Sequence, residues 1–300
     1  MIISWLYRRF RAWREQRHPT TAPSSVSRVT ESSRPSAAAR GPLALLGHQV
    51  RFDLLASFRN PRARFFTFVF PILLLVVFAS VFGNHGTTTI DGVRVSLSRY
   101  FVGGILALSI ITAAYASLVI TVATAREEGL LKRRRATPAP PAVLLGGQAL
   151  ATLVIALGMA AVLLLVARLA YGVSMPVGAL AAAAIAVVVG TLSFACIGYA
   201  VAGLVGSPDS AQPIVQATLL PLYFISGVWI PLASLGHTLR SIASLFPVEH
   251  LANSLHLASV MGSFGTALHP ADLLVLAAWG AGAAVLAVRR FSWLPSPATA

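Results

Sequence analysis

Charged residues are scarce in this chain. Asp, Glu, Lys and Arg make up 11% of its 300 residues, whereas an ordinary soluble domain carries roughly 25%. Hydrophobic residues make up 56%, and the mean hydropathy is +0.77. Because so few polar side chains cannot cover a surface that faces water, most of the chain must face lipid. The composition therefore predicts an integral membrane protein.

Two reactive residue types are nearly missing. The single cysteine, Cys196, lies inside an apolar run, which excludes a disulfide framework and a thiolate metal cluster. The single lysine, Lys132, follows no glycine-rich loop of the form G-x-x-x-x-G-K-[ST], so the chain has no P-loop of its own to bind ATP. The motif G-x-S-x-G is also missing, which gives a membrane hydrolase little support.

Carboxylates avoid the centres of the apolar runs. An ion-coupled carrier usually needs a titratable group inside the membrane, and here the acids from residue 42 onward lie in connections or at segment ends. This argues against an ion-driven carrier, although Glu249 or His250 on a helix that dips into the membrane would leave room for one. The acids concerned are Asp53, Asp91, Glu127, Glu128, Asp209, Glu249 and Asp272.

Four histidines share one connection, which raises the question of a metal site. His237, His250, His256 and His269 are 13, 6 and 13 residues apart. That spacing lacks the i, i+4 pair that helical zinc ligands favour. We therefore interpret them as polar residues at the membrane interface and expect this chain to bind neither a metal nor a cofactor.

Six apolar segments come close to the ~20 residues that a helix needs to cross about 30 Å of hydrocarbon. With the N-terminus inside, 19 of the 23 Lys and Arg residues lie on the cytoplasmic side and four outside, as the positive-inside rule requires. We predict an all-α, six-span protein of the plasma membrane with both termini in the cytoplasm. The segments are 65–83, 101–125, 142–167, 177–205, 213–231 and 270–289.

The net charge of +14 could indicate a nucleic-acid binder. The basic residues instead cluster at the N-terminus and at the ends of apolar runs, where they would face anionic lipid. We therefore expect lipid and no nucleic acid as a partner. The ratio of 22 Arg to one Lys favours a GC-rich bacterial source.

The chain before the first span divides into three parts. Residues 1–17 suit a helix in the headgroup layer or a basic tail, and residues 18–41 form a flexible linker rich in Pro, Ser and Thr. Residues 43–58 predict an amphipathic surface helix that Pro61 ends. Arg51 and Asp53 face away from its apolar seam, which is formed by Leu43, Leu46, Val50, Leu54 and Phe58. The resulting domains are 1–41, a six-helix unit at 42–290 and a short cytoplasmic tail at 291–300.

The outer loop at 232–269 contains apolar stretches that are too short to span a membrane, and it predicts short helices on or in the outer leaflet.

Away from the ends of the spans, the polar residues are uncharged. They are compatible with ordinary helix packing or with a weakly polar lining for an amphiphilic substrate, and both interpretations stay open. The candidate lining residues are Thr112, Tyr115, Gln216, Tyr223 and Ser226.

The connection REEGLLKRRRATPAP at 126–140 concentrates charge between two apolar runs. Paired acids, a glycine and a basic run ending in Ala136-Thr137-Pro138 resemble the first cytoplasmic loop of ABC type-2 permeases, the membrane subunits of exporters related to the daunorubicin-resistance and polyketide-lipid systems. The segments beginning at Arg59-Asn60-Pro61 and at Ser226-Gly227 are similar to further parts of that family. The resemblance covers residues 43–290.

The resemblance implies a permease dimer, identical or mixed, docked on two separate ATP-binding subunits that hold ATP and Mg²⁺. It implies a connecting helix at 43–58 with Arg51, Asp53 and Arg59. The outer re-entrant pair would close the exit through Pro231, Pro247, Glu249 and His250. The loop would be the coupling helix, with Glu127, Glu128, Gly129, Lys132, Arg133, Arg134, Arg135 and Pro138 contacting the ATPase.

Three hypotheses follow for the function. The first is the permease subunit of an ATP-driven exporter of drugs, antibiotics, lipids or polyketides, which is not itself an enzyme. The second is an ion-coupled carrier or channel, and the third is a membrane scaffold without transport activity. The basic residues of the loop could serve topology alone, but topology does not require Glu127 and Glu128.

Overall fold

The computed structural model describes residues 42–59, 61–82, 86–130 and 141–290. The predictions for 1–41 and 291–300 lie outside these described residues, as do Lys132, the arginines at 133–135 and Pro138. The described helices are α1 (Pro42–Arg59), α2 (Pro61–Arg64), α3 (Phe70–Phe82), α4 (Leu97–Ile111), α5 (Ser117–Glu127), α6 (Pro141–Tyr171), α7 (Val177–Leu204), α8 (Pro208–Ile225), α9 (His237–Ala243), α10 (Pro247–Val260), α11 (Phe264–Ala267) and α12 (Pro270–Arg290). The remaining elements are strands β1 (Thr87–Ile90) and β2 (Val93–Ser96), π-helical turns at Phe65–Val69 and Thr112–Ala116, and a 3₁₀ turn at Leu232–Ser234.

Five stretches of the described chain are long and apolar enough to cross a membrane, judged by length and composition. They confirm five of the six predicted segments and the all-α membrane class. The predicted span at 213–231 is not confirmed, because α8 ends at Ile225 and carries Asp209 and two glutamines among its 18 residues. The five spans are Phe65–Phe82, Leu97–Glu127, Leu145–Tyr171, Val177–Leu204 and Pro270–Arg289.

Two of the spans contain a widened π-helical turn. In the first span the amide of Phe70 donates to the carbonyl of Phe65, which is one residue further back than in an α-helix. Pro71 follows at once and has no amide proton to donate, so the widened turn relieves the clash that its ring would otherwise cause. In the second span the amide of Ser117 donates to Thr112 in the same way.

The second span is the centre of the fold. In its most apolar window 72% of the residues are buried, against 17% for the first span and 17% for the last. Helix α4 packs against α3, α6 and α10, and the turn after it packs against α7. The two peripheral spans expose apolar side chains such as Val81 and Leu274, which suits contact with lipid.

Helix α1 confirms a helix at the predicted residues 43–58 and packs along α6, while its position on the membrane surface stays a prediction. The approach is close, because a Cβ added at Gly147 of α6 would lie 2.5 Å from Cγ of Gln49. Arg51 is exposed, as predicted, but the prediction for Asp53 was wrong: its side chain is buried and accepts a hydrogen bond of 2.9 Å from Nε2 of Gln49. One helical turn separates Asp53 from Gln49, so the amide places the carboxylate on the packed face.

The two outer connections are folded. Strands β1 and β2 form an antiparallel hairpin with Ile90 opposite Val93, and its turn residues Asp91 and Gly92 both adopt positive φ, as a type I′ hairpin requires. The predicted short helices of the outer loop are present as α9 and α10. Helix α10 is mostly buried and packs against α4, α7 and α12, while its depth in a membrane stays a prediction.

Candidate functional site

A cavity of about 480 Å³ lies between α1, α5, α6 and the turn that follows α2. We call this part of the molecule the α1 end. Its walls combine apolar side chains such as Phe68 and Ile155 with polar groups from every neighbouring element. The polar lining residues are Asp53, Ser57, Arg64, Thr67, Ser117, Thr121, Glu128, Gln148 and Thr152.

The π-helical turn of the second span lies beside the cavity and faces α8. Tyr115 faces Thr218, and Tyr223 faces Thr112. Neither phenol completes a hydrogen bond among the described residues, although both side chains are buried. A π-helical turn is often found at functional sites, and here it places weakly paired hydroxyl groups in the interior of the bundle.

Arg126 at the end of α5 is buried and binds the carbonyl groups at the end of α7. One guanidinium nitrogen donates to the carbonyl of Ala202 at 3.2 Å, and another donates to the carbonyl of Val205. The last carbonyl groups of a helix have no partner within it and carry partial negative charge. The arginine therefore caps α7 and joins it to α5.

Glu127 is the last residue of α5, and Glu128 lies in the turn that follows. Both side chains are exposed. The turn closes with Gly129 at φ +67, whose amide donates to the carbonyl of Arg126 at 3.1 Å. Because a positive φ favours glycine, this residue ends α5 and leaves the two carboxylates facing outward.

The opposite side of the bundle, which we call the α10 end, is closed by a buried polar contact. The hydroxyl of Tyr100 and Nε2 of His256 both donate to the carbonyl of Gly227, the latter at 2.9 Å. The Tyr100 and His256 rings stack with centroids 4.2 Å apart. Burial lowers the pKa of His256 to about 4, so the imidazole is neutral at physiological pH and carries its proton on Nε2.

A second polar cluster at the α10 end joins α10 to α12. Nδ1 of His250 lies 2.7 Å from Oδ1 of Asp272, and its Nε2 donates to the carbonyl of Ser244 at 2.9 Å. The hydrogen bond to Asp272 raises the pKa of His250 despite partial burial. Burial raises the pKa of the neighbouring Glu249, an effect that His250 offsets in part.

Residues 47–258 match the model of the ABC-2 type transporter family. The chain belongs to this family. A search of the curated proteins finds no significant match. The membrane permeases of the family generally dimerise and work with an ATP-binding subunit, and the permease domain is not itself catalytic.

The fold of this permease brings some of the predicted pathway residues together and separates others. Thr112, Tyr115 and Tyr223 lie near one another in the interior. Gln216 is exposed on α8, and Ser226 is buried without a hydrogen bond among the described residues. None of the five lines the cavity at the α1 end, which is bounded instead by the neighbouring Ser117 and Thr121.

The predicted coupling and outer residues of the permease also occupy distinct places. Of the coupling set, Glu127, Glu128 and Gly129 are described and surround the end of α5. Of the residues predicted to lie outside, Pro231 immediately precedes the 3₁₀ turn, while Pro247, Glu249 and His250 lie in the first turn of α10.

Sequence reasoning missed two residues that the structure makes important. Arg126 belongs to the charged loop in the sequence, where nothing distinguishes a helix cap from the arginines that follow it, which are predicted to contact the ATPase. His256 follows the periodicity of α10, and its apolar neighbours Leu255 and Leu257 were a signal of burial. Its partners Tyr100 and Gly227 are more than 25 residues away along the chain, so only the fold identifies the contact.

Proposed function

We propose that this permease is the membrane subunit of an ATP-driven exporter that moves a lipophilic or amphiphilic substrate out across the bacterial plasma membrane. The substrate class comprises drugs, antibiotics, lipids and polyketides. Two copies of the chain would dock on two ATP-binding subunits, which would hold ATP and Mg²⁺. Membership of the ABC-2 type transporter family favours this hypothesis over an ion-coupled carrier or a scaffold.

The observation that carries the substrate proposal is the cavity at the α1 end. Its volume of about 480 Å³ lies within the ~300–1,000 Å³ range of small-molecule sites. Phe68 and Ile155 offer apolar contact, while Gln148, Thr152 and Asp53 offer hydrogen bonds. Such a lining suits a molecule with an apolar body and a few polar groups.

The surface of α8 supports a permease dimer. Gln216, Leu220 and Phe224 recur every four residues and are all exposed, so they form one stripe along the helix. In a single copy within a membrane, this stripe would place the amide of Gln216 against lipid, where a polar group without a partner is costly. A second copy packed on the stripe would cover both the amide and the apolar side chains.

The dimer can be tested by disulfide cross-linking. Cys196 is the only cysteine, so Cys196→Ser with Leu220→Cys provides a single reporter on α8. We expect oxidation in membranes to give a covalent dimer, whereas Leu274→Cys on the exposed face of α12 should not. Equal cross-linking of both variants, or none at Leu220→Cys, would contradict the proposed interface.

The ATPase partner can be tested by co-purification with ATP-binding subunits encoded in the same genome. We expect a stable complex whose ATP turnover rises with an amphiphilic substrate. The double change Glu127→Ala with Glu128→Ala should weaken the complex by up to about thirtyfold, since each exposed pair contributes up to about 1 kcal/mol. Asp91→Asn, which removes one charge in the β1–β2 turn, is the control and should leave binding unchanged. A complex insensitive to the double change would refute the docking role of this loop.

A further inference from the structure

Four side chains with metal-ligating atoms converge at the α10 end, well away from the cavity. Glu249 and His250 occupy the first turn of α10, His269 precedes α12, and Asp272 lies in the first turn of α12. His250 Nδ1 lies 2.7 Å from Asp272 Oδ1 and 3.4 Å from Glu249 Oε2. Nδ1 of His269 lies 3.0 Å from Asp272 Oδ2.

We propose that Glu249, His250, His269 and Asp272 bind one divalent transition-metal ion, with Zn²⁺ as the best match. Two imidazoles and two carboxylates are a donor set that suits zinc, whereas Mg²⁺ and Ca²⁺ prefer oxygen ligands throughout. The metal would connect the outer helix α10 to the last helix. This role is independent of the proposed export function.

The distances within the cluster are close to those of a tetrahedral site. Zinc bonds to nitrogen and oxygen of 2.0–2.2 Å place neighbouring ligand atoms about 3.4 Å apart. The candidate ligand atoms of Glu249, His250 and Asp272 all lie within 4.8 Å of one another. Shifts of under about 1 Å would open the hydrogen-bonded pairs to this spacing. His269 is about half exposed, at 49%, so it can rotate to supply the fourth ligand.

The surroundings of His250 select the nitrogen that would bind the metal. A ligating histidine usually donates its other ring N–H to a carbonyl or carboxylate, which fixes the tautomer and the ring orientation. His250 Nε2 donates to the carbonyl of Ser244 at 2.9 Å. This leaves Nδ1, the atom that faces both carboxylates, as the ligand atom.

Asp272 is oriented in a comparable way. Its Oδ2 accepts a hydrogen bond of 2.7 Å from Nδ2 of Asn253, one turn further along α10. The amide holds the carboxylate with Oδ1 towards His250. Both central ligands are thus positioned by partners that do not themselves bind the ion, as in established metal sites.

The charge of the cluster also favours a cation. Glu249 is half-buried and Asp272 is buried. Their candidate ligand atoms lie within 4.8 Å of each other, so the two carboxylates repel each other. The imidazole of His250, 2.7 Å from Asp272 Oδ1, lies between the two carboxylates. A divalent ion bound among these groups would compensate both carboxylates.

The test is metal binding by the full chain, purified in detergent without a polyhistidine tag and treated with EDTA. Titration with ZnCl₂ against a chromophoric chelator should give one tight site per chain, and Zn²⁺ should raise the thermal unfolding midpoint. His250→Gln and Asp272→Asn should each weaken binding at least about tenfold. Glu249→Gln, which keeps the side-chain shape, should weaken it by a similar factor.

The control is His237→Gln, which changes an exposed histidine of α9 outside the cluster and should bind Zn²⁺ like the unchanged chain. Co²⁺ provides a second measurement that needs no comparison of stabilities: a four-coordinate site gives intense visible absorption, which Glu249→Gln should reduce. Absence of a saturable site would overturn the proposal. So would a site whose affinity the three cluster variants leave unchanged.

Discussion

The polar side chains at the α1 end and at the α10 end of the permease are arranged differently. At the α1 end polar side chains from α1, α5 and α6 line a cavity of about 480 Å³. At the α10 end Tyr100, His256 and Gly227 pair with one another inside a packed core. A protein interior is close-packed, so a cavity of this size is a place for a ligand or water rather than a packing accident.

The difference suggests which end must move for transport. The described conformation has a cavity of about 480 Å³ at the α1 end, whereas α10 is packed against α4 and α7. In the proposed export cycle, release at the α10 end would require the contacts around α10 to separate. These contacts combine the apolar packing of core residues such as Leu251 and Leu255 with the hydrogen bonds to the carbonyl of Gly227.

The largest loss of stability should come from adding a side chain where Gly104 approaches Val228 at the α10 end. A Cβ at Gly104 would collide with the carbonyl of Val228, and a backbone group cannot rotate aside. We expect Gly104→Leu to destabilise the fold by more than about 3 kcal/mol. The measurement is the yield of monodisperse protein after extraction, together with its thermal unfolding midpoint in detergent.

The control for this change is Gly158→Leu in α6, an exposed position where an added Cβ would meet no atom within 4 Å. It should leave yield and midpoint nearly unchanged. Gly147→Leu, which meets the flexible Gln49 at the α1 end, should fall between the two. Equal losses of yield and unfolding midpoint in the Gly104 and Gly147 variants would show that the α10 end is no more rigidly packed than the α1 end.

The second effect tests whether the α1 end also depends on a specific contact. Arg126→Ala leaves the carbonyl groups of Ala202 and Val205 without their donor. An unpaired buried polar group costs about 1–3 kcal/mol, so we expect a loss of about 2–4 kcal/mol measured by denaturant or thermal unfolding. Arg126→Lys, which keeps the charge, should recover part of it. Arg168→Ala removes an exposed arginine and serves as the neutral control.

Arg126 also shows where sequence reasoning stops. Apolar length and basic flanks are local properties, so they predicted five spans and the surface helix at 43–58 to within a few residues of the structure. Whether Arg126 caps a helix or contacts a partner protein depends on whether the end of α7 lies beside the end of α5. Ala202, whose carbonyl accepts from Arg126, is 76 residues away along the chain, so no local sequence pattern indicates this contact.

The two prediction errors have related causes. The apolar seam of α1 predicts that the charged Asp53 faces elsewhere, whereas Gln49 one turn earlier pairs with it on the buried face. The last predicted span before the outer loop extended too far because apolar residues continue past Ile225. The chain leaves the helix there, and Gly227 adopts φ +77 so that its carbonyl can accept from Tyr100 and His256.

The third effect concerns the shared acceptor at the α10 end. Tyr100→Phe and His256→Phe each remove one of two donors to the carbonyl of Gly227, so each should cost about 1 kcal/mol. The double variant leaves the buried carbonyl with neither donor. We expect its loss of stability to exceed the sum of the single losses by about 1 kcal/mol.

Tyr223→Phe is the matched control for that cycle. Its hydroxyl is buried and completes no hydrogen bond among the described residues, so its removal should be neutral or slightly stabilising. If the stability losses of the two single variants simply add up in the double variant, the two donors act separately. The carbonyl of Gly227 would then not couple them as a shared acceptor.

The effect expected to be smallest at neutral pH is a pH dependence at the α10 end. His256 titrates at about 4 in the folded chain and near 6.5 when unfolded. A lowered pKa means that the neutral ring contributes stability that is complete above about pH 6.5 and is lost as the pH falls towards 4. The ring stacks on Tyr100, and a phenol titrates near pH 10 in water, far above this range. Unfolding measured between pH 4 and 8 should therefore have a shallower slope in His256→Phe, by at most about 1.4 kcal/mol per pH unit. Parallel profiles would show that solvent reaches this histidine, and that the α10 end is as open as the α1 end.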